Sequence, residues 1–215
     1  EHVMMFVLAS SRTLLQADHA VRHGNWKFRE TNIPHAVAEK TLLIVGLGRI
    51  GRTVAKMAAA FDMNVMAYDP FIPADKMAEL GIKKAETLDD GLKAADYVTI
   101  QLHLTPETRG MMSTEQFKIM KKSAVLLNLS RGPVVDQAAL YEALKNHEIA
   151  GAALDVLASE PPAADEPLLT LDNVIFTPHF GGDTYEAKQT VSRKTAENLI
   201  KALDGEDTYN WVNRK

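Results

Sequence analysis

The most constraining feature of the sequence is a series of short, almost wholly apolar runs that begins at Thr41. The runs are LLIVG, NVMAYD, YVTIQL, AVLLNL, AGAALD and NVIFT. A strand is apolar along its whole length when both faces of its sheet are covered. Helical patterns lie between several runs: Ile50, Val54 and Phe61 mark one, and Asp136 is placed to cap another. We therefore predict an α/β fold, a doubly wound parallel sheet with helices on both faces.

The segments on either side of this region are predicted to be helical or extended. A helical spacing of apolar residues predicts one amphipathic helix that ends at Gly24, and an extended arm or loop follows to residue 40. The last long helix is predicted to start near Asp183, which would cap it, and to end at Gly205. Trp211 suggests that the polar tail packs on another surface. The apolar positions of the first helix are Met4, Val7, Leu8, Leu14, Leu15 and Val21.

Composition excludes several classes of protein. The formal net charge of −4 and the pI of about 6.0 do not suggest binding to nucleic acid or to an anionic membrane. The chain has no cysteine, which excludes disulfides and thiolate metal sites and is compatible with the cytoplasmic location that we expect. The apolar run at residues 3–9 is too short to span a bilayer.

A glycine-rich turn joins the first apolar run to the first helix of this region. In the spacing G-x-G-x-x-G, the first glycine permits a tight turn, the second lets backbone approach a pyrophosphate, and the third lets helix and strand pack closely. The helix N-terminus offers unpaired N–H groups to the phosphates. These features indicate a Rossmann-type dinucleotide site, although a plain strand–turn–helix remains the alternative. The candidate contacts are Gly46, Gly48, Arg49, Ile50 and Gly51.

Asp69 ends the second run and is the candidate partner of the adenosine ribose. Its carboxylate can accept hydrogen bonds from both ribose hydroxyls, whereas a 2′-phosphate at the same place would be repelled. The nearest following cation is Lys76, and no arginine stands beside Asp69. The sequence therefore favours NAD over NADP.

Polar side chains follow the later runs, where ligands bind at the carboxyl edge of an open parallel sheet. Arg131 follows AVLLNL, Asp155 ends AGAALD with Glu160 shortly after it, and His179 follows NVIFT. Each residue has a plain alternative: an arginine paired with Asp136, a solvated glutamate in a proline-rich turn, or a histidine beneath a glycine turn. Together on one edge with the glycine turn, they favour an active site.

The sequence closely resembles the D-isomer-specific 2-hydroxyacid dehydrogenase family. The matching stretches are IVGLGRIGRTVA, AYDP, LTPETRGMM, LLNLSRGPVVDQAAL, GAALDVLASEPP and NVIFTPHFGG. The first residues, EHVMMFVLASSRTLLQADHAVRHGNW, also resemble the helix and arm that precede the nucleotide-binding domain of the family.

The resemblance implies roles for these residues. Arg131 would hold the substrate carboxylate, and His179 would exchange a proton with the oxygen at C2 while Glu160 stabilises its imidazolium form. Asp155 would lie near the nicotinamide carboxamide, and His103 and Thr105 would line the adenine side. The implied reaction is hydride transfer between NAD(H) and a small D-2-hydroxy acid or 2-keto acid of the hydroxypyruvate, glyoxylate or 3-phosphoglycerate type, without a metal.

The resemblance also implies a domain organisation. Residues 1–40 would form an interdomain helix and dimerisation arm, residues 41–183 the NAD-binding domain, and residues 184–215 a helix and return segment toward a substrate domain. We expect a homodimer, and we expect this sequence to be a piece of a longer protein. A regulatory protein of the same fold that binds NAD(H), such as a corepressor, is the alternative function, and a purely structural domain is a third.

Overall fold

The computed structural model describes residues 1–206, so the predicted packing of Trp211 lies outside the described residues. The chain separates into two compact units, Glu1–His179 and the segment that begins at Phe180. None of the helices within residues 1–206 combines the length and the apolar character needed to cross a membrane.

The first unit is built on a parallel sheet. Within the described residues its strands follow the order β3-β2-β1-β4-β5-β6-β7, with every neighbouring pair parallel. The apolar runs of the sequence all form strands, whereas β3 was missed because it is only two lysines long. The strands are β1 Thr41–Val45, β2 Asn64–Tyr68, β3 Lys83–Lys84, β4 Tyr97–Ile100, β5 Val125–Asn128, β6 Gly151–Leu154 and β7 Val174–Phe176.

Helices cover both faces of this sheet, as predicted. Alternate residues of β1 serve opposite cores: Leu43 and Val45 pack with one cluster, and Leu42 and Ile44 pack with the other. The first cluster includes residues of α6, α7 and α8, and the second includes residues of α1, α4 and α5. These helices are α1 His2–Ser11, α4 Arg49–Ala59, α5 Ala74–Ala78, α6 Leu88–Ala94, α7 Thr114–Ile119 and α8 Gln137–Lys145.

The prediction of one continuous helix up to Gly24 is wrong. The chain forms α1 and then α2 (Leu14–Arg22), separated at Thr13, whose φ of 46° is left-handed. The helices also differ in environment, since Val3, Phe6 and Val7 of α1 are buried while the leucines that begin α2 are exposed. The helical spacing of apolar residues continues across the break, because it combines buried residues of α1 with exposed residues of α2. The arm predicted as extended contains a short helix, α3 (Phe28–Thr31).

The second unit contains α9 (Tyr185–Leu203). Its N-cap is Thr184, whose side chain accepts a hydrogen bond from the Ala187 amide at 3.1 Å. The predicted cap, Asp183, instead forms an ion pair with Lys188 at 2.8 Å. Asp183 and Thr184 are adjacent and both can cap a helix, so the sequence did not distinguish them. Gly205 follows the helix, as predicted.

Asp96 ties together the amino ends of β1 and β4. Its carboxylate accepts hydrogen bonds from the Thr41 amide at 2.8 Å and from Lys121 Nζ at 2.9 Å. Burial alone would raise the pKa of Asp96, but these two hydrogen bonds and the charge of Lys121 outweigh it, so the pKa is lowered. The ionised carboxylate therefore stabilises the folded state.

This contact predicts a stability that depends on pH. Asp96→Ala is expected to lower the free energy of unfolding by about 1–3 kcal/mol near neutral pH, since it removes hydrogen bonds to a charged group. A carboxyl group with a lowered folded pKa contributes stability above its unfolded pKa of 3.8 and loses it as the pH falls through the folded value. Urea unfolding at decreasing pH should therefore show the difference between wild type and variant narrowing.

The matched control is Lys118→Ala, which breaks an exposed ion pair with Glu115. It should cost about 0–1 kcal/mol. A penalty for Asp96→Ala that stays constant from neutral pH to well below 3.8 would show that the charge of Asp96 does not stabilise the fold.

Candidate active site

The glycine turn between β1 and α4 depends on close backbone contacts. Gly46 has a φ of 96°, and a Cβ atom there would lie 2.7 Å from Leu102 Cδ2 and 2.8 Å from the Gln101 carbonyl oxygen. A Cβ atom at Gly51 would overlap the Gly46 carbonyl oxygen. At Gly48, by contrast, a Cβ atom would meet nothing within 4 Å. The turn is therefore tightly packed on the protein side and open at Gly48, as a cradle for a phosphate group requires.

Asp69 is held in place by the turn. Its Oδ2 accepts a hydrogen bond from the Leu47 amide at 2.9 Å, and its Oδ1 accepts one from the Phe71 amide at 3.0 Å. A carboxylate has about four acceptor positions, so these bonds leave capacity for ribose hydroxyls. Arg49 and Ile50 are exposed in the first turn of α4, where they can contact a nucleotide.

The loop after β4 carries His103 and Thr105, and both side chains are exposed. Thr108 organises this loop, because its hydroxyl donates to the His103 carbonyl at 2.7 Å and accepts from the Thr105 amide at 2.8 Å. Sequence analysis did not identify Thr108, since threonine in a polar loop carries no distinctive pattern.

Arg131 follows β5 in a loop fixed by hydrogen bonds. Its Nη1 donates to the Ser130 carbonyl at 2.6 Å, and Asn128 Nδ2 donates to the Arg131 carbonyl at 3.1 Å. Asp136, the alternative partner of Arg131, instead caps α8 by accepting from the Ala139 amide at 3.1 Å. A guanidinium has five N–H donors, so the bond to Ser130 leaves others for a ligand.

The loops after β5 and β6 touch through their backbones. A Cβ atom at Gly132 would overlap the Leu157 carbonyl oxygen, so only glycine allows this approach. The Ala158 amide also donates to Gln137 Oε1 at 2.8 Å. The loop that carries Arg131 therefore lies against the loop that leads to Glu160.

The structure brings Glu160 and His179 into contact. Oε2 of Glu160 lies 2.6 Å from Nδ1 of His179, and Oε1 accepts a hydrogen bond from the Leu157 amide at 3.0 Å. His179 has a left-handed φ of 54°, and its amide donates to the Thr177 carbonyl at 3.0 Å. The two side chains are 50% and 37% exposed for His179 and Glu160, so a ligand can reach the pair.

A pocket of about 460 Å³ lies beside this pair. Asp155 also lines the pocket, although the residue is only 3% exposed. Arg131 is not among the described residues that line it. Within residues 1–206, no group of three or more His, Asp or Glu side chains is arranged to hold a metal ion. Residues lining the pocket include Asp155, Leu157, Glu160, Phe176, Thr177 and His179.

A parallel sheet with a glycine turn and polar residues at its carboxyl edge defines a dinucleotide-binding domain. The family model for the NAD binding domain of D-isomer specific 2-hydroxyacid dehydrogenases matches residues 4–181, and the chain belongs to this family.

The chain is similar to enzymes of more than one name. A D-3-phosphoglycerate dehydrogenase of Methanocaldococcus jannaschii is 44% identical over 213 residues, which cover 99% of this chain and 40% of that protein. A glyoxylate reductase of Korarchaeum cryptofilum is 42% identical over 212 residues, covering 97% of this chain and 64% of that protein. The chain therefore spans less than two thirds of the length of either relative.

A solved structure confirms the fold class. The D-lactate dehydrogenase of Lactobacillus jensenii, solved with NAD⁺, has a TM-score of 0.88 and 30% identity; the match covers 98% of this chain and 67% of that one. None of these three proteins is named as a regulatory protein, so they give no support to the regulatory alternative.

Gly48, which precedes α4, and Gly51, in its first turn, should respond differently to substitution by alanine. Gly48→Ala is expected to leave the melting temperature unchanged but to weaken NADH binding by about tenfold or more, because the methyl group would fill the open side of the turn. Gly51→Ala is expected to lower stability by about 1–3 kcal/mol, because its Cβ overlaps backbone. Calorimetry and NADH fluorescence titration measure both effects. Unchanged NADH binding by Gly48→Ala would place the pyrophosphate elsewhere.

Proposed function

We propose that this chain carries the nucleotide-binding and proton-transfer part of an NAD-dependent oxidoreductase. The enzyme transfers a hydride between NAD(H) and a small D-2-hydroxy acid or the corresponding 2-keto acid. The observation that carries the proposal is the Glu160–His179 pair, 2.6 Å apart beside a pocket at the sheet edge that also bears the glycine turn.

His179 is the acid and base of this reaction. Because Nδ1 contacts Glu160, Nε2 is the ring nitrogen that exchanges a proton with the substrate oxygen at C2. His179 donates this proton during reduction of the keto acid and removes it during oxidation of the hydroxy acid. Glu160 fixes the ring orientation and balances the charge of the imidazolium form, and the Leu157 amide fixes Glu160.

Arg131 holds the carboxylate of the substrate. A guanidinium binds a carboxylate through two parallel hydrogen bonds, and its fork can also polarise the adjacent carbonyl. The contact between Gly132 and Leu157 supports this role, since it ties the Arg131 loop to the loop that leads to Glu160.

When bound, the dinucleotide would donate the hydride from C4 of its nicotinamide ring during reduction of the keto acid and accept it there during oxidation of the hydroxy acid. The open face at Gly48 and the N-terminus of α4, with Arg49 and Ile50, receive the pyrophosphate, and Asp69 receives the adenosine ribose. His103 and Thr105 line the adenine side. Asp155 shares the pocket with His179 and would accept a hydrogen bond from the nicotinamide carboxamide.

The substrate belongs to the hydroxypyruvate, glyoxylate or 3-phosphoglycerate class. The names of the relatives from Methanocaldococcus jannaschii and Korarchaeum cryptofilum support this class. Their greater length supports a substrate domain formed by sequence outside residues 1–215, which would supply further contacts.

The organisation of the chain is part of the proposal. Residues 41–183 are the NAD-binding domain, residues 1–40 an interdomain helix and dimerisation arm, and residues 184–215 a helix and return segment. Exposed apolar side chains on α2 and the arm support a homodimer formed through this region. They are Leu14 at 55%, Leu15 at 52%, Val21 at 51%, Trp26 at 65% and Ile33 at 80% exposure.

Turnover depends on His179 in this account. In the natural protein that contains this sequence, His179→Ala should lower kcat by about 10²–10⁴-fold, the range of general acid–base catalysis, and leave NADH binding unchanged. Glu160→Gln is the matched variant: it keeps a hydrogen-bond acceptor without the charge and should lose less. NADH oxidation with hydroxypyruvate, glyoxylate and phosphohydroxypyruvate measures both. Full turnover by His179→Ala would remove the proposed mechanism.

The choice of dinucleotide depends on Asp69. We expect NADPH to bind more weakly than NADH, because its 2′-phosphate would meet the Asp69 carboxylate. Asp69→Asn keeps an acceptor for one of the two amides and removes the charge. It should narrow the ratio of the two dissociation constants by about tenfold, equivalent to about 1.4 kcal/mol. A ratio that does not change in a titration of both cofactors would locate the ribose away from Asp69.

A further inference from the structure

A series of hydrogen bonds runs from the wall of the pocket, at Asp155 and Thr177, to α1. The Thr177 hydroxyl donates to Asp155 Oδ1 at 2.5 Å, and His2 Nε2 lies 3.0 Å from the same hydroxyl oxygen. His2 Nε2 is also 3.8 Å from Asp155 Oδ1. The bond between His2 and Thr177 joins residues 175 positions apart in the sequence. The His2 and Asp155 side chains are only 13% and 3% exposed.

The direction of these bonds follows from the chemistry of the groups. An ionised carboxylate only accepts hydrogen bonds, so the single hydroxyl proton of Thr177 is committed to Asp155. The hydroxyl oxygen can then only accept from His2, which requires a proton on Nε2. Burial lowers the pKa of His2, against the opposing effect of the Asp155 charge, and this favours the neutral ring. The bond to the Thr177 oxygen then assigns the single ring proton to Nε2.

Asp155 needs such support if it is to meet a ligand in one orientation. A carboxylate at the wall of a pocket can rotate about its last torsion, which is broad for aspartate. The Thr177 hydroxyl, which donates to Oδ1, restricts that rotation, and the hydrogen bond from His2 holds the hydroxyl in place. Packing holds His2 itself, since its ring lies edge-on to the Phe6 ring with a centroid distance of 4.8 Å.

We propose that Thr177 and His2 are positioning residues that orient the Asp155 carboxylate toward the carboxamide of the bound nicotinamide ring. The inference rests on the proposed function, in which Asp155 receives that carboxamide. It extends the proposed nicotinamide site from the pocket wall to His2 of α1, which contacts Thr177.

The test compares NAD⁺ with ADP-ribose, which is NAD⁺ without its nicotinamide ring. Thr177→Val removes the hydroxyl at nearly constant volume, and Thr177→Ser keeps a hydroxyl as the matched control. By isothermal titration calorimetry on the natural protein that contains this sequence, Thr177→Val should weaken NAD⁺ binding by about tenfold and leave ADP-ribose binding unchanged. Thr177→Ser should bind both ligands nearly as the wild type does. Retained ADP-ribose binding also shows that each variant is folded.

A second pair of variants tests His2. His2→Gln keeps an N–H donor at the position of Nε2, whereas His2→Phe keeps an aromatic ring against Phe6 without a donor. His2→Phe should lose NAD⁺ affinity selectively, by a smaller factor than Thr177→Val because it acts one bond further away. His2→Gln should recover most of that loss. Equal NAD⁺ affinity in the two variants would remove His2 from the proposal.

A double-mutant cycle with Asp155→Ala, which removes the acceptor of the Thr177 hydroxyl, shows whether Thr177 acts through Asp155. The tenfold effect of Thr177→Val should disappear when Asp155 is already replaced by alanine. If Asp155→Ala selectively weakens NAD⁺ but Thr177→Val weakens both ligands equally or neither, only this inference fails. If Asp155→Ala does not distinguish NAD⁺ from ADP-ribose, the nicotinamide does not meet Asp155, and the proposed placement of the cofactor fails with it.

Discussion

The burial of one parallel sheet on both faces is the constraint on which the rest of the first unit depends. Because alternate residues of β1 pack into opposite cores, neither face of the strand is left for a ligand. Polar side chains that contact a ligand must therefore lie in the loops at the strand ends. With all strand pairs parallel, the loops after β1, β4, β5, β6 and β7 leave the sheet at the same edge. The glycine turn and the Glu160–His179 pair come from distant parts of the chain and therefore lie at one edge of the sheet.

Close backbone contacts then fix those loops relative to one another. Gly51 lies against the Gly46 carbonyl within the nucleotide turn, and Gly132 lies against the Leu157 carbonyl between the loops after β5 and β6. A Cβ atom at Gly51 or Gly132 would collide with a backbone carbonyl oxygen, and a change of side-chain rotamer cannot relieve that collision. His179 also has a special backbone conformation, with a left-handed φ, and its imidazole contacts Glu160. These contacts fix the positions of the loops that form the candidate site.

Much of the sheet and part of the site could be predicted from the sequence, for physical reasons that also explain the errors. Continuous apolar runs identified the longer strands, because burial on both faces leaves that signal, whereas β3 has only Lys83 and Lys84 and leaves none. The break at Thr13 was missed because apolar spacing does not show which residues are buried. Arg131, Glu160 and His179 were selected because they follow strands. Thr177 was not, since its hydrogen bonds to Asp155 and His2 arise only from tertiary structure.

We propose that the nicotinamide ring binds in the pocket that Asp155 and His179 share. A crystal structure of the protein with NAD⁺ bound would show where the ring lies. We expect the pyrophosphate against the open side of Gly48 and the nicotinamide in the pocket, with its carboxamide on Asp155 and C4 on the side of His179. A nicotinamide ring bound outside this pocket, with the imidazole facing away from C4, would overturn the proposal.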